Sequence, residues 1–252
     1  MKRIWIPAVI LTIATALITA WPTPAKTQET VGNRLWAELL SRHVKSGTVN
    51  YGGIKGEEKK LDRYLKVLEG ANPDAMAAKE QMAFYINLYN AWTVKLILGG
   101  YPGVESIKAL GTIFKSPWKK EIVRVSGKVV TLDHVEHNIL RPRFKDPRVH
   151  FAVNCASKGC PPLRSEPYAG STLDRQLDEA TASFLSDPRQ NRLTNGTLHV
   201  SKIFKWFKGD FNGDIVGFFR QYAKGRLKEK LKRHKGPIVL KYQDYDWSLN
   251  GF

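Results

Sequence analysis

The chain has 252 residues, of which 42% are hydrophobic and 25% charged, so it can build a sizeable core without covalent staples. Lysine and arginine total 40 against 23 acidic residues, and the formal net charge of +17 at pH 7 predicts attraction to anionic partners. The 2 cysteines are too few for a disulfide scaffold, which excludes that class of small secreted protein.

The first 25 residues have the pattern of a secretory signal peptide. Lys2 and Arg3 precede an apolar run over residues 4–18, and small residues near Ala20 or Ala25 offer a cleavage site. The run is too short for a comfortable transmembrane span, so we predict removal, with an uncleaved anchor as the alternative. We therefore expect a periplasmic or secreted protein without a transmembrane span after signal removal. Nucleic acid is an awkward partner in that compartment.

A flexible segment over residues 26–32 and a single domain over residues 33–252 should follow. Apolar spacing in the first half of the domain predicts mainly helices. The predicted elements are helices over residues 33–46 and 58–69, a helical region from Pro73 to Gly99, a short helix over 106–110, a hairpin over 121–132 and a helix over 133–140 capped by Asp133. Residues 81–98 are apolar nearly all round, which predicts a central buried helix.

The second half mixes helices and strands. The predicted elements are a helix over residues 172–185 capped by Ser171, a hairpin over 192–200 around Asn195-Gly196, a helix over 214–222, a basic helix over 224–235 and a strand over 237–242. Because the elements do not alternate regularly, we predict an α+β fold. In it a central buried helix and surrounding helices pack on a small, mostly antiparallel sheet.

Both cysteines lie within residues 150–162. The apolar run over residues 149–153 predicts a buried strand, whose end delivers Cys155 into a rigid loop that closes with Pro161-Pro162. Such a loop can present a reactive thiol, or the two cysteines can simply close it as a disulfide or as buried thiols. A redox pair of Cys155 and Cys160 is a weaker option, because their spacing is wider than Cys-x-x-Cys.

A nucleophilic Cys155 needs a base or a positive field to form its thiolate. The predicted helix before the cysteine stretch carries His134 and His137, together with Glu136 and Asp133. We predict His137 as the base and His134 as the second choice. Glu136 or Asp133 would orient the imidazole, as the third member of a catalytic triad does.

His150 precedes Cys155 by five residues. On a strand this odd spacing would point the two side chains to opposite faces, so we favour His137 over His150 as the base. The cysteines and histidines lack the spacing of a zinc site, and we predict no metal and no cofactor. The chain also has neither a glycine-rich phosphate loop nor a Gly-x-Ser-x-Gly elbow.

Asn87 and Asn90 lie three residues apart, on one face of the predicted central helix. Buried amides need hydrogen-bond partners. The two side chains either line the site or bond neighbouring backbone, and the sequence leaves both interpretations open.

Residues 224–235 hold most of the basic charge of the C-terminal region. Their apolar face consists of Leu227 and Leu231, which is too thin for deep membrane insertion. This segment is a candidate contact with an anionic surface of the cell envelope. The alternative is an ordinary solvated helix face.

Four stretches carry a resemblance to a known family: residues 84–91 (FYINLYNA), 132–141 (LDHVEHNILR), 150–161 (HFAVNCASKGCP) and 245–250 (YDWSLN). In these stretches the chain resembles the bacterial and plant domain of unknown function 547 (DUF547). The resemblance implies an exported or membrane-associated bacterial protein whose activity is not established. It points to six positions: Asn87, Asn90, Glu136, His137, Cys155 and Pro161. Some members of the family lack the second cysteine, which implies that Cys155 is the functional sulfur.

Together these features predict a thiol-dependent hydrolase or acyltransferase with one polar cleft. In this hypothesis Cys155 attacks a carbonyl and His137, oriented by Glu136, exchanges the proton. Asn87 or Asn90 steadies the oxyanion. The alternative function is a non-catalytic binding module of the cell envelope, whose cleft and basic surface recognise an anionic ligand.

Overall fold

A computed structural model describes Met1 and residues 33–252, so the predicted signal peptide and the predicted flexible segment lie outside the described residues. The fold is α+β, as predicted. Its α-helices are α1 (Asn33–His43), α2 (Tyr51–Gly56), α3 (Glu58–Gly70), α4 (Ala78–Leu98), α5 (Leu132–His134), α6 (Arg141–Phe144), α7 (Leu173–Ser186), α8 (Ile203–Trp206), α9 (Ile215–Tyr222) and α10 (Gly225–Arg233). Among the described residues, no helix is both long enough and apolar enough to cross a membrane.

The strands form small separate sheets. They are β1 (Val44–Lys45), β2 (Thr48–Val49), β3 (Glu121–Val125), β4 (Lys128–Thr131), β5 (Arg192–Thr194), β6 (Thr197–Val200) and β7 (Val239–Tyr242). Strands β1 and β2, β3 and β4, and β5 and β6 pair as antiparallel hairpins, while β7 joins β6 in parallel. Asn195 and Gly196 both have positive φ, at 48° and 75°, as the predicted tight turn between β5 and β6 requires.

Helix α4 is the central buried helix that the sequence predicts. It runs for 21 residues, and nearly all of them from Gln81 onward are buried. Helices α1 to α3 and the hairpin of β3 and β4 surround it in a first hydrophobic cluster. A second cluster, rich in phenylalanine, joins α7 to α10 with the sheet of β5, β6 and β7. The cysteine stretch connects the two clusters, since Val153 belongs to the first and Phe151 to the second.

The predicted strand over residues 149–153 is wrong. Pro147–Phe151 forms a 3₁₀-helix, capped by Asp146, whose side chain accepts a hydrogen bond from the Arg148 N–H. Pro147 favours this helical start because its ring fixes φ near the helical value. A short apolar run is compatible with a buried strand and with a buried helical turn, and here the proline decides between them.

The helix predicted over residues 133–140 begins at Leu132, and its cap is Thr131 rather than Asp133. The Thr131 Oγ1 accepts the N–H of His134 at 2.9 Å. The chain then continues through a π-helical segment, Val135–Leu140, into α6. Pro142 lies just after this segment and cannot donate to the carbonyl four residues earlier, which accounts for an irregular helix here. Wide turns of this kind are frequent at functional sites.

Candidate functional site

A cavity of about 230 Å³ lies where the two hydrophobic clusters meet. Its polar lining includes Asp133, Glu136, His137, His150 and Cys155. Its aromatic lining includes Tyr89, Trp118, Trp206, Phe207, Tyr245 and Trp247. Three of the five residues predicted to act in catalysis, Glu136, His137 and Cys155, therefore face one space.

Cys155 places its thiol among hydroxyl groups. Its Sγ lies 3.1 Å from Ser157 Oγ and 3.1 Å from Tyr245 Oη. Burial alone would raise the pKa of this thiol, but hydrogen bonds from Cys160, Ser157 and Tyr245 stabilise the thiolate and lower it below its ordinary value. A thiol with a lowered pKa is the one chemically suited to act as a nucleophile.

Cys160 has the opposite character. It is buried, and burial together with the neighbouring Cys155 raises its pKa well above the ordinary value. The N–H of Cys155 points at Cys160 Sγ, 2.8 Å away, and both cysteines are free thiols. The structure therefore does not contain the disulfide that the sequence allowed. The two thiols also differ in pKa, which is lowered at Cys155 and raised at Cys160.

The loop around Cys155 is held from two sides. On one side Asn154 folds the turn, because its Oδ1 accepts the Ala156 N–H at 3.0 Å and its Nδ2 donates to the Pro161 carbonyl at 2.7 Å. On the other side the C-terminal segment accepts hydrogen bonds from Lys158 and Gly159. A Cβ on Gly159 would lie 3.0 Å from backbone atoms of Asp246, so glycine permits this close approach.

His150 lies under the same cavity, with Phe207 stacked on its ring at 4.0 Å between centroids. Its Nε2 lies 2.7 Å from Asp210 Oδ2. Because a carboxylate only accepts, Nε2 carries the proton and Nδ1 has a free lone pair. The buried Nδ1 has no hydrogen-bond partner among the described residues, and Glu136 Oε1 is 4.0 Å from it. Burial lowers the pKa of His150, which favours the neutral imidazole that a general base requires.

Asp210 completes the support of His150. It also accepts from Arg141, whose Nε and Nη2 lie 2.7 and 3.0 Å from the two carboxylate oxygens. Hydrogen bonds from His150 and Arg141 hold the pKa of Asp210 well below its usual range. The sequence analysis missed this residue, because nothing in the segment Lys208–Phe211 distinguishes it from any exposed aspartate.

His137 and Glu136 line the cavity but do not form the predicted pair with each other. The ring of His137 contacts Arg141 Nη1 at 2.9 Å through Nδ1, and Asp133 Oδ1 lies 3.7 Å from its Nε2. Glu136 is buried, and burial raises its pKa, while a hydrogen bond with Tyr89 opposes the shift. The same imidazole that the sequence favours as base thus sits beside a guanidinium group.

The side-chain amides of Asn87 and Asn90 form hydrogen bonds with backbone groups. Asn87 Nδ2 donates to the Tyr168 carbonyl at 2.8 Å and its Oδ1 accepts the Tyr168 N–H at 2.9 Å. Asn90 Nδ2 donates to the Ala152 carbonyl at 3.0 Å and its Oδ1 accepts the Asn154 N–H at 2.8 Å. Asn90 therefore ties the central helix to the cysteine loop, which is the second interpretation that the sequence left open.

Ser157 and Tyr245 are further site residues without a predicted role, although both lie in stretches that carry the family resemblance. Within residues 33–252, no group of three or more His, Cys, Asp or Glu side chains is arranged to hold a metal ion.

Comparison with known proteins agrees with the resemblance. Residues 73–185 match the family model described as "Protein of unknown function, DUF547". The matched region includes α4, Glu136, His137, His150 and Cys155, but it ends before Asp210 and Tyr245. No curated protein and no solved structure matched the chain.

Proposed function

Residues 73–185 are a DUF547 domain, a family whose description assigns no activity, and we propose from the site itself that the protein is a thiol-dependent hydrolase or acyltransferase. One observation carries the proposal. Cys155 and His150 line the same cavity, and the buried Nδ1 of His150 has no hydrogen-bond partner among the described residues. The Tyr245 hydroxyl lies within hydrogen-bond distance of the Cys155 sulfur, and Asp210 accepts a hydrogen bond from the His150 imidazole.

The reaction would proceed in two steps. In the first, the thiol of Cys155 gives its proton to His150 Nδ1, and the sulfur attacks the carbonyl carbon of a bound acyl substrate. The tetrahedral intermediate then collapses, the leaving group takes the proton from His150, and the acyl group stays on the sulfur as a thioester. In the second step water or an acceptor molecule gives a proton to His150 and attacks the thioester. The intermediate expels the Cys155 sulfur, which takes that proton back from His150, and the acyl product leaves.

We assign the base to His150 rather than to His137. Asp210 orients His150 as the acid of a triad does and stabilises the imidazolium that forms. At His137 the Nδ1 lies 2.9 Å from Arg141 Nη1, and because a guanidinium only donates, the lone pair of this nitrogen is already used. The strand argument against His150 does not apply, because the segment before Cys155 is a 3₁₀-helix.

Glu136 is the group we assign to the oxyanion. The amides of Asn87 and Asn90 bond backbone groups, and neither residue lines the cavity, so we do not assign the oxyanion to them. Glu136 lines the cavity, and burial raises its pKa, which favours the protonated form; in that form its carboxyl donates a hydrogen bond to a developing negative charge.

The test is trapping of the acyl-enzyme. The protein is mixed with p-nitrophenyl esters of increasing chain length and with acyl thioesters, and its intact mass is followed over time. We expect a mass increase equal to one acyl group on Cys155 in the unaltered protein and in Cys160→Ala, but not in Cys155→Ala. If Cys155→Ala releases p-nitrophenol as fast as the unaltered protein, the proposal is overturned.

A matched pair of variants tests the assignment of the base. His150→Asn should slow acylation about a hundredfold or more, whereas His137→Asn should have a much smaller effect. If His137→Asn slowed acylation more than His150→Asn did, His137 would be the base.

Export and an anionic partner belong to the same proposal. The signal-like pattern of residues 1–25 supports a protein that acts in the periplasm or outside the cell. The exposed basic side chains of α10 support contact with an anionic surface of the envelope. N-terminal sequencing of protein recovered from the host's envelope fraction would detect the predicted cleavage.

The non-catalytic binding module remains the second candidate function. It is supported by α10, where Lys224, Arg226 and Arg233 are exposed and Glu229 is the lone acidic residue of the helix. Ligand binding that weakens steeply with salt, while tolerating Cys155→Ala, would favour this candidate.

A further inference from the structure

The loop over residues 111–116 presents two bulky apolar side chains to solvent. Ile113 and Phe114 are each 93% exposed. The loop is closed beneath them, because the Thr112 N–H donates to the Lys115 carbonyl at 2.9 Å and the Thr112 Oγ1 accepts the Lys115 N–H at 3.0 Å. A closed turn thus holds two adjacent apolar groups where nothing in the described chain covers them.

Lysines flank this apolar tip in the sequence. Residues 106–120 contain four of them, Lys108, Lys115, Lys119 and Lys120, and no acidic residue. None of the four forms an ion pair with a carboxylate in the part of the chain that the structure describes. Lys108 instead places its Nζ 4.0 Å over the ring of Trp247. The positive charge of the loop is therefore available to an external anion.

The loop also borders the cavity of the candidate site. Ser116, the last residue of the loop, and Trp118, two residues later, line that cavity. Trp118 makes an edge-to-face contact with Trp247, with 5.8 Å between the ring centroids. Beside them, Trp206 is 45% exposed. Tryptophan is the residue that membrane proteins concentrate at the boundary between lipid and water.

We propose that residues 111–120 dock the protein on an anionic phospholipid surface. Ile113 and Phe114 enter the outer part of the acyl-chain layer, and the lysines contact the negatively charged headgroups. A lipid layer fits this surface better than a protein partner does. Two apolar side chains project almost fully into solvent and lysines flank them in the chain, which suits a fluid apolar layer beneath an anionic one.

This surface is distinct from the basic helix α10 and does not depend on the chemistry proposed for Cys155. If docking occurs, it brings the mouth of the cavity to the headgroup region, because Ser116 and Trp118 belong to both. Failure of the docking test leaves the acyl-enzyme test untouched, and the reverse also holds.

The test measures sedimentation of the protein with vesicles, either of phosphatidylcholine alone or of equal parts phosphatidylcholine and phosphatidylglycerol. The double variant Ile113→Ser/Phe114→Ser should weaken binding to the anionic vesicles about tenfold or more, since two apolar side chains no longer leave water. Val239→Ser is the matched control, because Val239 is 62% exposed on β7, and its binding should stay within about twofold of the unaltered protein.

Charge variants separate the two basic surfaces. Lys115→Gln/Lys119→Gln should weaken binding to the anionic vesicles several-fold, and more than Lys224→Gln/Arg226→Gln on α10 does. Thermal unfolding checks that each variant is folded, and because the altered side chains are exposed we expect unchanged curves.

Two results overturn the proposal. If the unaltered protein does not sediment with anionic vesicles at low salt, the loop does not dock on lipid, and a protein partner becomes the explanation for its apolar tip. If it does sediment, but only the α10 variant loses binding, the basic helix is the lipid contact and the loop is not.

Discussion

Nε2 of His150 lies 2.7 Å from Oδ2 of Asp210, although the two residues are 60 positions apart in the chain. The contact fixes the imidazole with its proton towards Asp210 and its free lone pair towards Glu136, at the floor of the cavity. It also links the two hydrophobic clusters, since His150 follows Val149 of the first cluster and Asp210 precedes Phe211 of the second.

Asp210→Asn should therefore lower the rate at which Cys155 is acylated. An asparagine amide can donate to Nε2, which would move the imidazole proton to Nδ1 and remove the lone pair that accepts the thiol proton. We expect acylation to slow by about a hundredfold or more while the fold persists. Stopped-flow release of p-nitrophenol measures the rate.

Arg141→Gln is the control for this variant. It removes the other partner of Asp210 but leaves the proton arrangement of His150 intact, so its effect should be smaller. Equal losses in the two variants would contradict a specific role for the contact between Asp210 and His150.

His150 and Asp210 should each stabilise the protein less as the pH is lowered, over two separate ranges. The pKa of His150 is lower in the folded than in the unfolded chain. The unfolded chain therefore takes up this proton first, and unfolding becomes easier below about pH 6.5. The pKa of Asp210 is also lowered on folding, so its stabilising effect is complete above about pH 4 and is lost as the pH falls further.

Urea unfolding between about pH 8 and about pH 3 measures both stages. His150→Asn should flatten the upper stage. Asp210→Asn should reduce the lower stage by about 1 kcal/mol, a value discounted because this carboxylate is partly exposed. A free energy of unfolding that does not change with pH in the unaltered protein would contradict this account.

Local patterns predicted much of the fold. The apolar character of residues 81–98 gives the central helix, and Asn195-Gly196 gives the tight turn of the hairpin. Both features depend on residues that are close together in the sequence, so they can be predicted from one sequence alone. The segment before Cys155 is the exception, because its apolar run predicts a strand whereas Pro147 favours the 3₁₀-helix that forms there.

The candidate site was harder to predict, because its key contacts join distant segments. His150 was considered and ranked below His137 only through the wrong strand. Asp210 and Tyr245 reach the site through packing of the second cluster and through the C-terminal segment that braces the cysteine loop. Tertiary packing decides which distant residue contacts a buried side chain. The spacing of residues along the chain does not predict such contacts.

Cys155 and Cys160 should differ strongly in reactivity. The thiolate of Cys155 is stabilised by hydrogen bonds, whereas burial raises the pKa of Cys160, so iodoacetamide should modify Cys155 first and at a pH below about 8.5. Peptide mass spectrometry of protein alkylated at a series of pH values assigns each adduct. Preferential modification of Cys160 would contradict the assignment.

Tyr245→Phe tests the cause of the lowered pKa. The variant keeps the ring and removes the hydroxyl that lies 3.1 Å from Cys155 Sγ. The pH at which alkylation is half-maximal should rise by about one unit, since one stabilising hydrogen bond is lost. Tyr242→Phe is the control, because Tyr242 lies on β7, away from the sulfur, and its alkylation profile should not move.

Asn90 should matter for stability more than for chemistry. Asn90→Ala leaves the Ala152 carbonyl and the Asn154 N–H buried without their partner, so the free energy of unfolding should fall by about 2–4 kcal/mol. The exposed Asn138 provides the control, and Asn138→Ala should change stability by less than about 0.5 kcal/mol. Urea unfolding at neutral pH compares the two variants.

The same pair of variants separates a positioning role from an oxyanion role. If Asn90 only holds the cysteine loop, Asn90→Ala at a temperature where it is folded should acylate Cys155 at a rate within about tenfold of the unaltered protein, because Cys155 and His150 are both still present. Loss of an oxyanion donor would instead cost about a hundredfold or more in that rate without a matching loss of stability. That second pattern would return Asn90 to the role that the sequence first suggested.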